Sequence, residues 1–266
     1  MLCLYDKTEN AGIMIVKLVS YPSWNRLSSK QRKLRISTVV EILNEKDADF
    51  VMFSEWVFNN IEDLNSVCQL VHNEKVTALF ELKLSRGLVG NQLFLLQNGK
   101  VIDLKTHQIF SEHKDATEEN VERLLDELEW HRQFMVGENR FLVIQCGENN
   151  ILKTQRGVNN RAEFRLQNSN LKKRFDKVID SVDVILNPVH TKWGRFYDFT
   201  CRLYKFSEKN RCCFYCSQLE GNQLVNAIKS PEKNTTQRAM KSRRLLPPLY
   251  CSDISNHHYL LQMYEI

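Results

Sequence analysis

The stretch VIQCGENN (143–150) ends an apolar run on Cys146, followed by Gly147 and Glu148. A cysteine thiol, with an ordinary pKa of about 8.5, is mostly protonated near neutral pH. To act as a nucleophile it needs a base or a positive field close by. The ends of two other apolar runs and of a hairpin offer such groups: Ser54-Glu55-Trp56, Asn187-Pro188-Val189-His190 and Lys105-Thr106-His107. Glu55 is suited to take the thiol proton and later pass it to a departing amine. Lys105 is suited to hold the negative charge that develops on a tetrahedral oxygen, where one such donor is typically worth about 3–4 kcal/mol. Gly147 would let a backbone N–H approach the same oxygen without a Cβ in the way.

Each residue also has a plainer role. Cysteine is often simply buried, Glu55 can cap a following helix, and Lys105 can be a solvated edge residue. His107 and His190 are alternative partners for Cys146, with Asn187 as a third member, although papain-like enzymes place their cysteine at a helix start near the N-terminus. A structural zinc site has less support. Cys212, Cys213 and Cys216 lack a second ligand pair at zinc-site spacing, and neighbours on a strand face opposite ways.

These side chains need a scaffold that gathers strand ends. IMIVKLVSY (13–21) and ADFVMFSEW (48–56) read as strands apolar nearly throughout, as in a sheet covered on both faces. Between them, Ile36, Val39, Val40 and Leu43 recur at helical spacing after a cap at Ser28 or Ser29. That strand–helix–strand order predicts a parallel pair with a right-handed crossover. A helix near 61–73 and a strand at 75–83 continue the pattern. NQLFLLQNGKVIDLK (91–105) is predicted to be a hairpin turning at Asn98-Gly99, which makes the sheet mixed. A helix opens at Thr117 and runs through EENVERLLDELEWHRQF, and a strand follows at 139–146. Residues 151–168 read as an exposed connection, 171–188 as helix then strand, 196–211 as helix and 212–218 as strand. The basic run NAIKSPEKNTTQRAMKSRRLLP (226–247) reads as a loop or tail, and YLLQMYEI as a closing strand. Parallel α/β sheets carry their sites at the carboxyl ends of the strands, where the chosen residues fall.

Bulk properties fit this picture. The chain has 266 residues, 42% of them apolar, enough for a full core in one domain spanning 1–266 with a divergent basic segment at about 226–266. Its 37 basic and 32 acidic residues give a formal charge of +5, which permits an anionic partner without demanding one. The basic run has no aromatic interleaving, which argues against nucleic acid. No apolar run is long enough for a membrane span, and the N-terminus lacks the pattern of a secretion signal. The expectation is a cytoplasmic protein whose eight cysteines are free thiols.

Taken together and in order, these segments resemble the carbon–nitrogen hydrolase family, the nitrilase superfamily, from about residue 13 to 221. The match runs through DFVMFSEW at Glu55, NGKVIDLKTHQIF at Lys105, FLVIQCGE at Cys146, VDVILNPVHTKWG and RLYKFSEKNRCCFYCSQLEG. The resemblance implies an α-β-β-α sandwich of four layers with mixed sheets, and a Glu55-Lys105-Cys146 triad that cleaves amide or carbamoyl bonds, less readily nitriles, through a thioester. It implies no cofactor and no metal, a small-molecule amide as partner, and a possible homodimer. Gly147, Glu148, Trp56, His190 and Trp193 are expected around the substrate, and Glu112, Glu118 or Glu119 beside Lys105. Acyl transfer through the same thioester, or a non-catalytic binding role, are the alternatives. Several positions depart from the family pattern. Ser54 stands where proline is usual, the Glu55–Lys105 interval is short, and Gly147 replaces a bulkier residue, which would widen the space over the thiol.

Overall fold

A computed structural model describes residues 13–22, 28–155, 161–190, 196–219, 236–254 and 259–266. The strands form two mixed sheets of similar plan. The first begins with β1 (Ile15–Ser20), β2 (Phe50–Phe53) and β3 (Thr77–Lys83) in parallel, then turns antiparallel through β4 (Asn91–Gln97) and β5 (Lys100–His107). The second is built on three parallel strands, β7 (Asn139–Val143), β10 (Val184–Val189) and β11 (Cys212–Ser217), with β6 (Gln133–Val136) antiparallel on the β7 edge. The helices are α1 (Ser29–Asn44), α2 (Ile61–Leu70), α3 (Glu118–Trp130), α4 (Ser169–Asp180) and α5 (Phe196–Phe206). None of the described helices is long and apolar enough to cross a membrane.

Period-two alternation explains how fully apolar strands serve a layered fold. On β2, Phe50 and Met52 face the core between the sheets, while Val51 and Phe53 face α1 and α2. On β7, Phe141 and Val143 face inward and Leu142 outward, toward α3 and α4. On β11, Cys212 and Cys213 divide between the same two cores, as their adjacency predicts. The result is helix, sheet, sheet, helix: the predicted four layers.

Local signals held at several ends. Ser28 caps α1 in a capping box with Gln31, and Thr117 caps α3. Asn98 (φ 52°) and Gly99 (φ 68°) form the β4–β5 turn, where two successive positive φ values favour this pair.

Three stretches differ from expectation. The helix opening at Thr117 stops at Trp130, because Gln133–Val136 pairs with β7 around Gly137 (φ 57°). The stretch expected to be an exposed connection holds a small hairpin, β8 (Leu152–Thr154) with β9 (Ala162–Phe164), whose Leu152 and Phe164 are buried. The basic segment continues the second sheet beyond β11 as β12 (Gln237–Lys241) and β13 (Arg244–Leu245), with Gln237, Arg238, Ala239 and Met240 buried. β14 (Tyr250–Ile254) and β15 (Tyr259–Glu265) complete the first sheet on the other side of β1.

Candidate active site

The carboxyl ends of the parallel strands in both sheets meet at one place. Glu55 follows β2, and its carboxylate is fully buried. Cys146 follows β7 at the start of a 3-10 helix over Cys146–Ile151 and is 8% exposed. His190 follows β10, and its side chain, 29% exposed, forms the accessible wall of the cluster. His190 Nδ1 lies 2.8 Å from Glu55 Oε2 and 3.3 Å from Cys146 Sγ. Both partners therefore sit at the same ring nitrogen. In a cysteine–histidine–acid relay they would occupy opposite nitrogens, with the ring passing the proton between them. Here the Cys146 thiol and backbone N–H both act to lower the pKa of the Glu55 carboxyl, against the larger effect of its burial.

The surroundings fix these positions. Trp56 stacks on the His190 ring at 4.5 Å and 9°. Its own backbone is left-handed at φ 55°, a conformation rare and costly for a bulky residue. Its N–H donates to the Glu81 carbonyl at 2.8 Å, and Gln218 Nε2 donates to the Glu55 carbonyl at 2.8 Å. Ser54 uses its N–H to reach the Val19 carbonyl and its Oγ to accept from Tyr21 N–H. Proline at that position would make neither bond.

Glu81, on β3, is the residue that the sequence reading missed. Its carboxyl is fully buried beside that of Glu55. Among the described residues, Glu55 Oε1 and both Glu81 oxygens meet no N–H or hydroxyl donor, and a hydrogen bond between the two carboxyls exists only when one is protonated. Burial pushes both well above the usual carboxylate range; the Glu55 charge raises Glu81 further, while the hydrogen bond with Glu81 works to lower Glu55. The visible signal was a lone acid inside the apolar strand KVTALFELK.

Lys105 is not brought to the cluster. Its side chain is 76% exposed and its Nζ bonds Asp103 Oδ2 at 2.7 Å. The cause is a bulge: Gln92 pairs with His107 but Phe94 with Asp103, so three residues of β5 oppose Leu93 alone. Lys105 takes φ 56° there and turns outward, while Thr106 turns inward and is buried. Thr106 Oγ1 accepts from Arg132 Nε at 2.8 Å. No acidic support for Lys105 forms from Glu112, Glu118 or Glu119. All three are exposed; Glu112 pairs with Lys114, and Glu118 accepts from Asn168.

Glu148 has a different place from the one expected for a substrate contact. It is buried and forms a two-pronged ion pair with Arg132, which is itself fully buried. Its Oε1 also accepts from Ile109 N–H at 2.7 Å and its Oε2 from Gln145 N–H at 3.0 Å. It thus anchors the turn that carries Cys146. Gly147 also answers to packing. A Cβ there would lie 2.0 Å from the Ser111 carbonyl oxygen, so glycine is needed by a close backbone approach rather than to open space over the thiol. Asn187 ties the adjoining strand ends together through Ile144 and Asn149, and the His107 carbonyl accepts from Arg132. Trp193 lies outside the described residues.

Among the described residues, Glu55, Cys146 and His190 are the carboxylate, thiol and imidazole whose donor atoms gather closely, all within 4.8 Å of one another.

No protein-family model matches the sequence, and no curated protein sequence matches it. Solved structures do match. A double mutant of the amidase from Nesterenkonia sp. AN1, in complex with acrylamide, is similar at TM-score 0.55 and 8% identity, over 98% of this chain and 93% of that one. The carbon–nitrogen hydrolase from Helicobacter pylori G27 is similar at 0.54 and 8%, over 94% and 88%. XC1258 from Xanthomonas campestris, a CN-hydrolase superfamily protein with an arsenic adduct in its active site, is similar at 0.52 and 10%, over 95% and 91%. With two mixed sheets faced by helices and strand ends gathered at a buried cysteine, the chain has the fold of the carbon–nitrogen hydrolases of the nitrilase superfamily, at great sequence distance from these structures.

Proposed function

We propose that the chain is a cysteine-dependent hydrolase of non-peptide carbon–nitrogen bonds, acting on an amide or carbamoyl group. The observation that carries this reading is the meeting of Glu55 and Cys146, from different sheets, at a single nitrogen of His190. Glu55 takes the thiol proton, and the sulfur attacks the carbonyl carbon. The carbon–nitrogen bond then breaks, and Glu55 returns the proton to the departing amine. Water, deprotonated by Glu55, attacks the thioester; the carbon–sulfur bond breaks and Cys146 recovers its proton. His190, when protonated, provides the positive charge beside sulfur and oxyanion that the lysine was expected to provide. The N–H of Gly147, in the first turn of the 3-10 helix, is the backbone donor for the oxyanion. Support also comes from a neighbour: in one mutant of the Nesterenkonia amidase, acrylamide adds to the active-site cysteine.

The test is incubation with a panel of small amides and carbamoyl compounds, with release of amine and the mass of the intact protein measured. The expected result is amine release and an acyl adduct on Cys146 that is lost in Cys146→Ala. Lys105→Ala is expected to leave turnover unchanged. A second reading, binding without turnover, is favoured by the exposed position of Lys105. Tight retention of an amide with no amine released and no adduct would replace the first reading by the second.

A further inference from the structure

We propose that Glu55, Cys146 and His190 form a binding site for Zn2+. The inference stands on the placement of three donor atoms and holds whether or not the protein hydrolyses an amide. A carboxylate oxygen, a thiol sulfur and an imidazole nitrogen converge on one point, with Nδ1 of His190 facing both of the others at 2.8 and 3.3 Å. All the donor atoms lie within 4.8 Å of one another. Tetrahedral zinc, with bonds of about 2.0–2.3 Å, places its ligand atoms about 3.4–3.6 Å apart. To reach that spacing at Nδ1, the Glu55 oxygen moves out by about 0.6 Å and the Cys146 sulfur by about 0.2–0.3 Å. Arrangement on a single ring nitrogen suits a metal, which needs every donor aimed inward, better than a proton relay.

Two further features point to a cation. Glu55 Oε1 and both oxygens of the neighbouring Glu81 are buried without an N–H or hydroxyl donor among the described residues. Two carboxyl groups so placed lack a compensating positive charge from Lys105, which is on the surface with Asp103. Trp56, stacked on His190, holds the imidazole plane so that Nδ1 points inward. The mixed sulfur, nitrogen and oxygen set selects zinc over magnesium or calcium, which take oxygen ligands. Three protein ligands leave a fourth position for water or another small ligand.

Binding releases the thiol proton to solvent and leaves His190 neutral, with its proton on Nε2 and its Nδ1 lone pair on the metal. A thiolate held by zinc is not available to attack carbon. Metal and acyl group therefore exclude one another at Cys146, and zinc acts as a reversible block on the thiol.

The experiment uses the full-length protein, stripped with a chelator and then titrated with Co2+ and Zn2+. The expected result is about one metal per chain, with a thiolate-to-cobalt charge-transfer absorption that Zn2+ displaces. Zn2+ should also slow alkylation of Cys146 by iodoacetamide at least tenfold. Cys146→Ser should lose the charge-transfer band and His190→Ala should weaken binding at least tenfold, each with an unchanged far-ultraviolet circular dichroism spectrum. Lys105→Ala should bind as the parent does. Absence of the charge-transfer band from the folded parent protein overturns the proposal, as does undiminished zinc binding by folded Cys146→Ser. Amide turnover by a protein that binds no zinc overturns this site alone. Zinc binding by a protein that consumes no amide upholds the site while the hydrolase reading fails.

Discussion

Replacing Glu148 by glutamine separates an anchoring role from a substrate-binding one. Both carboxylate oxygens accept from the fully buried Arg132 and from backbone N–H groups of Ile109 and Gln145. Glutamine removes the charge and turns one acceptor into a donor that faces donors. Arg132 is then a buried cation whose remaining bonds go to neutral oxygens, Thr106 Oγ1 and the His107 carbonyl. Breaking a buried pair from one side costs about 3–5 kcal/mol. At roughly 2–4 °C per kcal/mol for a chain of this size, Tm should fall by about 6–20 °C. Urea denaturation followed by circular dichroism reads the free energy, and a thermal scan reads Tm. The double variant Arg132→Met/Glu148→Met should recover much of the loss, because it leaves no unpaired charge. A loss below about 1 kcal/mol in Glu148→Gln would refute the reasoning, since it would mean that Arg132 reaches water at little cost. A residue that served only to contact substrate would leave both curves where they were.

Gly147→Ala should lower stability by at least about 1–3 kcal/mol, the usual range for overpacking, because the added Cβ meets backbone rather than a flexible side chain; a denaturation midpoint equal to the parent's would contradict the close approach of Ser111. Iodoacetamide at neutral pH should label Cys146, and the half-buried Cys68, well before Cys212, Cys213 and Cys216. Burial pushes Cys212 up to about 11 and Cys216 up to about 12, and raises Cys213 further; peptide mapping that finds these three labelled first would count against the core assignment. Arg174 on α4 bonds Glu129 and Asp126 on α3, and the Arg174 hydrogen bond holds Glu129 below the usual carboxylate range. A lowered folded-state value means that this contribution is present above the unfolded carboxylate pKa and is lost as pH falls through the folded one. Arg174→Ala should therefore be less stable than the parent near neutral pH, by less than about 1 kcal/mol for so exposed a group, and the two should converge in acid; a gap that widens as pH falls would reverse the sign.

The sheets were legible because their evidence is local and repeated. Apolar runs such as Phe50–Phe53 can only be central strands, and Asn98-Gly99 marks its own turn. The placement of Glu55 and Cys146 was legible because each ends such a run, and a strand end is a place the fold defines. Lys105 was not, because its direction depends on a bulge, and one shifted residue turns a strand side chain to the opposite face. Thr106 rather than Lys105 points inward for that reason alone. The strand at Gln133–Val136 was hidden in a helical pattern whose apolar stripe ends at Leu128. Gln237–Met240 was hidden by the charges around it, although burial there is set by β11 alongside. Glu81 was visible as a lone acid in an apolar strand, but its meaning required knowing that β2 and β3 are neighbours. Arg132 could be understood only beside Glu148, sixteen positions on.

β15 lies directly against β1, with Ile15 opposite Glu265 and Ser20 opposite Leu260. Gln237 of β12 also donates to the Leu18 carbonyl, Ser20 Oγ and the Leu260 carbonyl, so one side chain joins early and late strands. Contacts of such long sequence separation slow folding, because the loop must close before the contact rewards it. On a ribosome, β1, β2 and β3 emerge early but leave one edge of β1 unpaired until β15 arrives. That edge is apolar and able to pair with another chain. Yield of soluble protein should therefore depend on how quickly the last strand is delivered, and ribosome-bound chains stalled before residue 259 should be the species most prone to associate.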